Sequence, residues 1–170
     1  MFPKPKEGDY SPYIATYFTY LEGVATLDAL RDNKQKIVRL FQKLTPEQQD
    51  YRYAEGKWNA KEVLQHIIDT ERVFQFRALT FARNAGAALA GFDQDEYVQT
   101  ACAAGRMMES LVAEYEAVRE STLALVTGFD ESVWHNTGTA NGTKISVAAA
   151  IGTIAGHELH HYNVYKKRYL

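Results

Sequence analysis

The sequence predicts an all-α protein in which four long helices form one bundle, as a single domain over residues 1–170. Apolar residues recur at three- and four-residue spacing along four long segments, as expected of helices with one buried face. Residues that favour helix ends stand at the borders of these segments. No convincing run of strand-like alternation interrupts them, and short extra helical turns are expected in the connectors.

The N-terminal part is expected to hold an extended arm and the first long helix. Residues 1–12 contain three prolines, which predict an arm without regular structure. The aromatic stretch Tyr13–Tyr20 should lie on the body of the protein, partly as a short helix. A long helix is predicted over about residues 26–44, with Thr26 as its N-cap. The Thr-Pro pair that follows breaks this helix and begins a connector over residues 45–58.

The second long helix is predicted over about residues 59–85 and has the clearest start. Asn59 is a favourable N-cap, and Glu62 stands three residues later, as in a capping box. His66 lies at the flank of the apolar stripe of this helix. The stripe comprises Val63, Ile67, Phe74, Ala78 and Phe81.

A third long helix is predicted over about residues 103–126. Its apolar stripe comprises Met108, Leu111, Val112, Tyr115, Val118, Thr122, Leu125 and Val126. Gly128 stands just past the predicted end, where glycine is common. The segment before this helix, residues 91–97, is expected to be a connector with a helical turn.

The fourth long helix is predicted over about residues 147–168. Ser146 can cap its start, and small residues along its first half would allow a neighbouring element to approach closely. The preceding pair Asn141-Gly142 favours a tight turn, which predicts a short hairpin there.

Composition excludes several classes of function. The formal net charge is −2, from 19 basic and 21 acidic residues, so the sequence lacks the basic surplus typical of nucleic-acid-binding proteins. No segment approaches the roughly 20 apolar residues that span a bilayer, and no leader peptide is visible. The single cysteine, Cys102, permits no intrachain disulfide and favours a cytoplasmic protein. Its expected role is that of a small buried or half-buried side chain.

Three histidines predict a divalent-metal site. His157 and His161 are four residues apart on the predicted fourth helix, so they share one face. His66, on the second helix, could supply a third imidazole from across the bundle. Three protein ligands leave coordination positions open for water or substrate, as in catalytic sites. The alternative is a solvated histidine pair that complements the negative end of the helix dipole.

The segment His157–His161 also matches the H-E-x-x-H pattern of zinc peptidases. The context argues against a peptidase, because only nine residues follow His161 and none is a third ligand. Glu158 is the expected general base if the reaction is a hydrolysis, and Glu158 and Glu62 could each orient a ligand ring. The commoner role for Glu158 is a solvated surface carboxylate. His160 is expected at the rim, with a fourth ligand or a proton shuttle as alternatives.

Aromatic residues are expected around this site. Trp58 and Phe92 are predicted to serve as packing residues rather than as substrate platforms. Tyr13, Tyr17 and Tyr97 are predicted to line the mouth of the site, which would admit a small-molecule substrate.

Three separated motifs resemble the DinB-like superfamily and occur in the same order as in that family. They are Tyr51–Phe74, Gly91–Tyr97 and Ile154–His161, and the resemblance extends from about residue 10 to 170. It implies an up-down-down-up four-helix bundle with a long crossover. It also implies that His66, His157 and His161 bind a divalent metal ion, usually nickel or zinc, and that the chain forms a homodimer.

The same resemblance implies a reaction. In characterised relatives the metal activates a low-molecular-weight thiol for transfer to an electrophile or for isomerisation of one, which predicts a metal-dependent thiol S-transferase. Two alternatives stay open. One is a metal-dependent hydrolase of an amide or ester, and the other is a non-enzymatic metal-binding protein of a stress response.

Overall fold

The computed structural model describes residues 3–170 and shows the predicted helical bundle. Its long helices are α2 (Thr26–Gln42), α4 (Ala60–Arg83), α6 (Met108–Thr127) and α7 (Val147–Arg168). Short helices α1 (Pro12–Phe18), α3 (Pro46–Asp50) and α5 (Gln94–Ala101) lie before and between them. The capping signals of α4 and α7 act as predicted: Asn59 and Glu62 form a reciprocal capping box on α4, and the Ser146 hydroxyl accepts a hydrogen bond from the Ala149 amide on α7. The prediction of Thr26 as an N-cap is wrong, because Thr26 is the first residue of α2 and Ala25 holds the N-cap position without a side-chain hydrogen bond.

Helices α2 and α7 run in the same direction. The Asn33 side chain of α2 donates a hydrogen bond to the carbonyl of Ala155, and further along both helices Phe41 packs on Tyr165. Helices α4 and α6 form a second parallel pair. Arg72 of α4 forms an ion pair with Glu114 of α6, and further along both helices the Gln75 side chain donates a hydrogen bond to Ser121.

The two pairs are antiparallel to each other. The end of α4 shares a core cluster with the beginning of α7, through Phe81 and Ile151, and the beginning of α4 shares another with the end of α7, through Leu64 and Tyr165. The order is therefore up-down-down-up, as the family resemblance implies. Residues 84–107 make the long crossover that joins the parallel helices α4 and α6.

A three-stranded sheet covers one end of the bundle. Strands β2 (Thr137–Ala140) and β3 (Thr143–Ser146) form the predicted hairpin, and β1 (Ala88–Leu89) in the crossover pairs in parallel with β2. Asn141 and Gly142 have φ angles of 53° and 70°, and positive φ at both turn residues is the requirement of a type I′ turn. The sheet attaches the crossover to the segment that leads into α7.

Some sequence predictions about the connectors are wrong. The third long helix begins at Met108 rather than near residue 103, because Arg106 is extended and a separate 3₁₀ turn occupies Ala103–Gly105. Cys102 is exposed rather than buried or half-buried, and it caps the end of α5 with a left-handed φ of 50°.

In the predicted arm, Met1 and Phe2 lie outside the described residues, and turns and bends replace a fully extended chain at residues 7–10. No helix within residues 3–170 combines the length and apolarity needed to cross a membrane.

Candidate metal centre

Three imidazole rings converge between α4 and α7. The Nε2 atom of His157 lies 3.0 Å from Nε2 of His66 and 3.1 Å from Nε2 of His161. The donor atoms of all three residues lie within 4.8 Å of one another. The structure therefore brings together the three histidines that the sequence singled out.

The helices explain why these side chains meet. His157 and His161 stand one turn apart on α7, and His66 faces them from the first half of α4, which packs against α7. Position 156 of α7 has to be glycine for this arrangement. A Cβ atom there would lie 2.3 Å from the backbone oxygen of Tyr17, so the absence of a side chain lets α1 lie directly on α7.

Helix α1 closes one side of the cluster. The ring of Tyr17 makes an edge contact with His157 at a centroid distance of 5.3 Å, and its hydroxyl is hydrogen-bonded to that of Tyr13 at 2.8 Å. On another side, Trp58 packs against His66 at a centroid distance of 4.7 Å. Aromatic rings thus limit the access of water to the imidazoles and hold their orientation.

The cluster is buried enough to keep its imidazoles neutral. His66 and His157 are buried and His161 is partly buried. Burial, with a smaller effect of the charge of His160, lowers the pKa of His66 to about 4. Burial and the neighbouring histidines hold the pKa values of His157 and His161 well below the usual range. Neutral imidazole is the form that binds a metal ion.

The two separations from Nε2 of His157 fit a shared metal ion. With metal–nitrogen bonds of about 2.0–2.1 Å, two ligand atoms are about 2.9 Å apart at a right angle and about 3.3 Å apart at the tetrahedral angle. The separations of 3.0 and 3.1 Å from Nε2 of His157 fall between these values. The donor set of three imidazoles suits zinc, nickel, copper or iron, and a set of three leaves positions open.

Two cavities reach the cluster from different sides. The first, which we call the Arg77 cavity, has a volume of about 440 Å³ and is lined by Tyr17, Arg77, Phe92 and His157 among others. The second, which we call the Trp58 cavity, has a volume of about 690 Å³ and includes Trp58 and His161 in its walls. Both are within the usual size range of small-molecule sites.

Glu158 lies in a different environment from the one expected. It is 1% exposed, so the expectation of a solvated carboxylate is wrong. One carboxylate oxygen accepts from Asn33, and the other accepts from Tyr115 and Arg119. Helical geometry causes this, because residue 158 points about 100° around α7 from residue 157 and therefore faces α2 and α6.

Arg119 joins Glu158 to a second buried carboxylate. Its guanidinium forms two hydrogen bonds of 2.9 Å with Glu71, one of 2.6 Å with Glu158 and one of 2.7 Å with the carbonyl of Leu30. We call Arg119, Glu71, Glu158, Tyr115 and Asn33 the buried ion network. Burial raises the pKa of Glu158 despite the opposing effect of Arg119. The network holds α2, α4, α6 and α7 together, which assigns Glu158 a structural role.

The other predicted site residues have mixed outcomes. Glu62 forms an ion pair with Arg52 and caps α4, so its carboxylate is occupied away from the ligand rings. His160 lies at the rim as expected, with Nδ1 3.1 Å from the Tyr20 hydroxyl, and it is not part of the histidine cluster. Tyr97 packs on Phe92 and does not line either cavity.

The low pKa values predict that the metal-free protein loses stability in mild acid. The unfolded chain protonates its histidines near pH 6.5, whereas folded His66 resists protonation until about pH 4. Between these values the unfolded state binds more protons, so stability falls as the pH falls, by up to about 1.4 kcal/mol per pH unit for each such group. Urea unfolding of the parent and of His66→Gln from pH 7 to pH 4.5 checks this. The variant should show a shallower pH dependence, and identical slopes would contradict the expectation.

Comparisons with known proteins identify the family and the fold of the chain. A family model described as the DinB superfamily matches residues 29–164, a range that includes all three histidines of the cluster. The solved structure of YfiT from Bacillus subtilis superimposes with a TM-score of 0.75 at 15% sequence identity, over 97% of this chain and 93% of YfiT. YfiT is described as a probable metal-dependent hydrolase with an unusual four-helix bundle topology. No curated protein matches the sequence significantly.

Proposed function

The chain belongs to the DinB superfamily, and we propose on that premise that it is a metal-dependent enzyme that transfers a low-molecular-weight thiol to a small electrophile. The observation that carries the proposal is the convergence of Nε2 atoms from His66, His157 and His161 at separations of 3.0 and 3.1 Å. These three residues would hold a divalent ion, with nickel or zinc the expected metals. Bound there, the ion would supply Lewis acidity that lowers the pKa of a coordinated thiol or water.

The surroundings of the cluster favour a thiol over water as the nucleophile. The cluster that residues 3–170 form contains three histidines and no carboxylate. Glu158, the expected general base, is held instead in the buried ion network. A thiol has a pKa of about 8.5, compared with about 15.7 for water, so it needs much less help to lose its proton. A site without a carboxylate base therefore suits thiol chemistry.

Hydrolysis of an amide or ester is the second candidate function. It is favoured by one observation, the similarity in fold to YfiT, which is described as a probable metal-dependent hydrolase. In that reaction the attacking water would have to lose its proton to a group outside the cluster. His160 on α7 is a titratable side chain beside the cluster, since its ring centroid lies 5.1 Å from that of His161.

The first prediction of this proposal concerns metal content. Protein purified without chelators or a metal-affinity tag should contain about one equivalent of nickel or zinc by elemental analysis. The double variant His157→Ala, His161→Ala should contain less than a tenth of that amount, because one imidazole cannot hold the ion alone.

Two matched controls sharpen this measurement. His135→Ala removes an exposed histidine remote from the cluster and should keep the full metal content. His160→Ala should also keep it, because His160 is not part of the cluster. Failure of the parent to take up nickel or zinc on titration would contradict the proposed function. It would equally contradict the alternative of a non-enzymatic metal-binding protein.

The reaction class needs a separate experiment. Cobalt-substituted protein is titrated with cysteine and, as the control, with serine, which replaces the thiol by a hydroxyl. A change in the visible spectrum with cysteine alone, together with cysteine-dependent consumption of monobromobimane above the uncatalysed rate, supports transfer. Hydrolysis of p-nitrophenyl acetate without thiol would support the second candidate. Metal binding with neither activity would leave the metal-binding stress-response protein.

Two further expectations accompany the proposal. We propose that the chain forms a homodimer in solution, which sedimentation equilibrium tests directly. A cytoplasmic location is likewise proposed, in keeping with the single exposed thiol of Cys102.

A further inference from the structure

A buried cation, Arg77, lines the Arg77 cavity. Arg77 lies on α4 and is 7% exposed. Within residues 3–170 its guanidinium makes no hydrogen bond or ion pair, and its contacts are with the faces of Phe74 and Phe92, at 4.7 and 5.7 Å from the ring centroids. Burying a charge without a partner costs free energy, so an arginine in this position indicates a binding site for an anionic ligand.

Arg119, which is also buried, shows how a structural arginine is paired inside this bundle. Arg119 has two carboxylates and a backbone carbonyl around its guanidinium. Burial alone would lower the pKa of Arg119, but the charge of Glu158 and its other partners raises it well above the usual value. Burial lowers the pKa of Arg77, and no ion pair among residues 3–170 opposes this effect. Arg119 is thus completely buried and paired with carboxylates, whereas Arg77 is 7% exposed and has no carboxylate partner among the described residues.

The charges of the residues that line the cavity favour binding of an anion. None of the residues that line it is acidic, and Arg77 is its only lysine or arginine. Thr70, about two turns before Arg77 on α4, also lines the cavity. Its hydroxyl is buried and has no hydrogen-bond partner among residues 3–170. The cavity therefore offers a guanidinium and a free hydroxyl donor, and at another point of its wall the imidazole of His157.

We propose that the Arg77 cavity binds the carboxylate group of an organic substrate through Arg77, with Thr70 as a second donor. A guanidinium matches a carboxylate because it presents two parallel N–H donors. One guanidinium and one neutral hydroxyl balance a single negative charge, which favours a carboxylate over a doubly charged phosphate. The two phenyl rings beside the guanidinium favour a substrate with an apolar body next to its carboxylate.

This placement of the carboxylate also involves His157, which lines the same cavity. A substrate held by its carboxylate at Arg77 would extend toward His157, a member of the histidine cluster. The inference that this substrate is the electrophile rests on the proposed function. The binding of the carboxylate itself does not, because Arg77 and Thr70 act without a metal ion.

The test uses the metal-free full chain and three probes of similar size: benzoate, the neutral benzamide and phenyl phosphate. Isothermal titration should show benzoate binding at least about 10-fold more tightly than benzamide, since a charge-assisted pair contributes more than about 1.4 kcal/mol, which is 10-fold in affinity. Benzoate should also bind more tightly than phenyl phosphate, whose second negative charge has no cation to balance it in the cavity. Arg77→Met should remove this preference and leave benzamide affinity unchanged. Thr70→Val, which keeps the shape of the side chain, should weaken benzoate binding a few-fold.

The control variant is Arg83→Met. Arg83 is on the same helix and also lies over a ring, at 5.9 Å from the centroid of Phe129, but it is exposed and outside the cavity. Its benzoate affinity should equal that of the parent. Equal binding of benzoate and benzamide to the parent would overturn the inference, and this readout does not depend on any variant folding. Tighter binding of phenyl phosphate would overturn the assignment to a carboxylate.

The same samples separate this inference from the proposed function. Elemental analysis of Arg77→Met after nickel or zinc loading should give the metal content of the parent. A parent that binds benzoate through Arg77 but binds no metal would contradict the proposed function alone. A parent that binds metal but shows no dependence of benzoate affinity on Arg77 would contradict the inference alone.

Discussion

Replacing Arg119 with methionine is expected to lower the free energy of unfolding by about 3–5 kcal/mol at pH 7, because it leaves two buried carboxylates without their cation. Arg119, Glu71 and Glu158 are each at most 1% exposed, so water cannot take the place of the guanidinium. The carbonyl of Leu30 would also lose its donor. This loss is a large fraction of the roughly 5–15 kcal/mol that stabilises a typical domain.

The loss of unfolding free energy in Arg119→Met should become smaller as the pH falls. Burial already raises the pKa of Glu158, and removal of the guanidinium that opposes this effect would raise it further. The folded variant then takes up a proton more readily than its unfolded chain, so the deficit shrinks as the pH falls from 7 toward 4.5. Urea denaturation at both pH values measures this.

A surface ion pair supplies the matched control. Lys34 and Glu120 are 2.8 Å apart at the surface, and Lys34→Met should cost less than about 1 kcal/mol. The triple variant Arg119→Met, Glu71→Gln, Glu158→Gln should recover part of the loss, because it removes the unpaired charges. A loss below about 1 kcal/mol for Arg119→Met would show that the network contributes little.

Gly156→Ala is the second change with a large expected effect. The new Cβ atom would stand 2.3 Å from the Tyr17 carbonyl oxygen and 2.8 Å from its carbon, so the backbone of α1 must move away. Overpacking of this kind costs about 1–3 kcal/mol, and the gain of about 1 kcal/mol from the better helix propensity of alanine offsets only part of it. The displacement would also separate Tyr17 from His157 and open the cluster to water.

Gly152→Ala is the control for this variant. It lies one turn earlier on α7, and its new Cβ atom would meet only the ring edge of Phe18, at 3.0 Å. A side-chain ring can shift where backbone cannot, so this variant should be the more stable of the two. Thermal unfolding ranks their stability, and quenching of tyrosine fluorescence by acrylamide reports the displacement of α1. Equal melting temperatures would contradict the assigned role of Gly156.

The features predicted well from the sequence depend on local geometry. The capping box at Asn59 and the hairpin at Asn141-Gly142 need only a few consecutive residues, and the structure has both. The pairing of His157 with His161 follows from helical periodicity in the same way. His66 needed one further assumption, that the second and fourth helices are neighbours.

The buried ion network was missed, although a signal for it is present. The apolar stripe of the second helix has a gap between Ile67 and Phe74, and Glu71 stands in this gap at helical spacing. In the third helix Arg119 stands at helical spacing between Tyr115 and Thr122, next to Val118 of the stripe. A charged residue at a stripe position on each of two helices indicates a buried pair, because each needs the other to be tolerated inside.

The Arg77 cavity could not have been found in this way. Thr70, Arg77 and Phe92 come from α4 and from the crossover, and their proximity to His157 depends on how the crossover is folded. The strand β1 that fixes this path is two residues long and has no periodicity to detect. Such contacts depend on tertiary packing, which no local pattern encodes.

The placement of two ligands one turn apart on α7 has a consequence for how metal and folding influence each other. His157 and His161 form a local chelate that needs only a single helical turn, whereas His66 is contributed by a helix 91 residues earlier in the chain. An unfolded chain can therefore retain part of its affinity for the ion. Binding to the denatured ensemble reduces the stabilisation that mass action gives the native state. The rise in melting temperature on adding metal should consequently be smaller than the affinity of the native site implies.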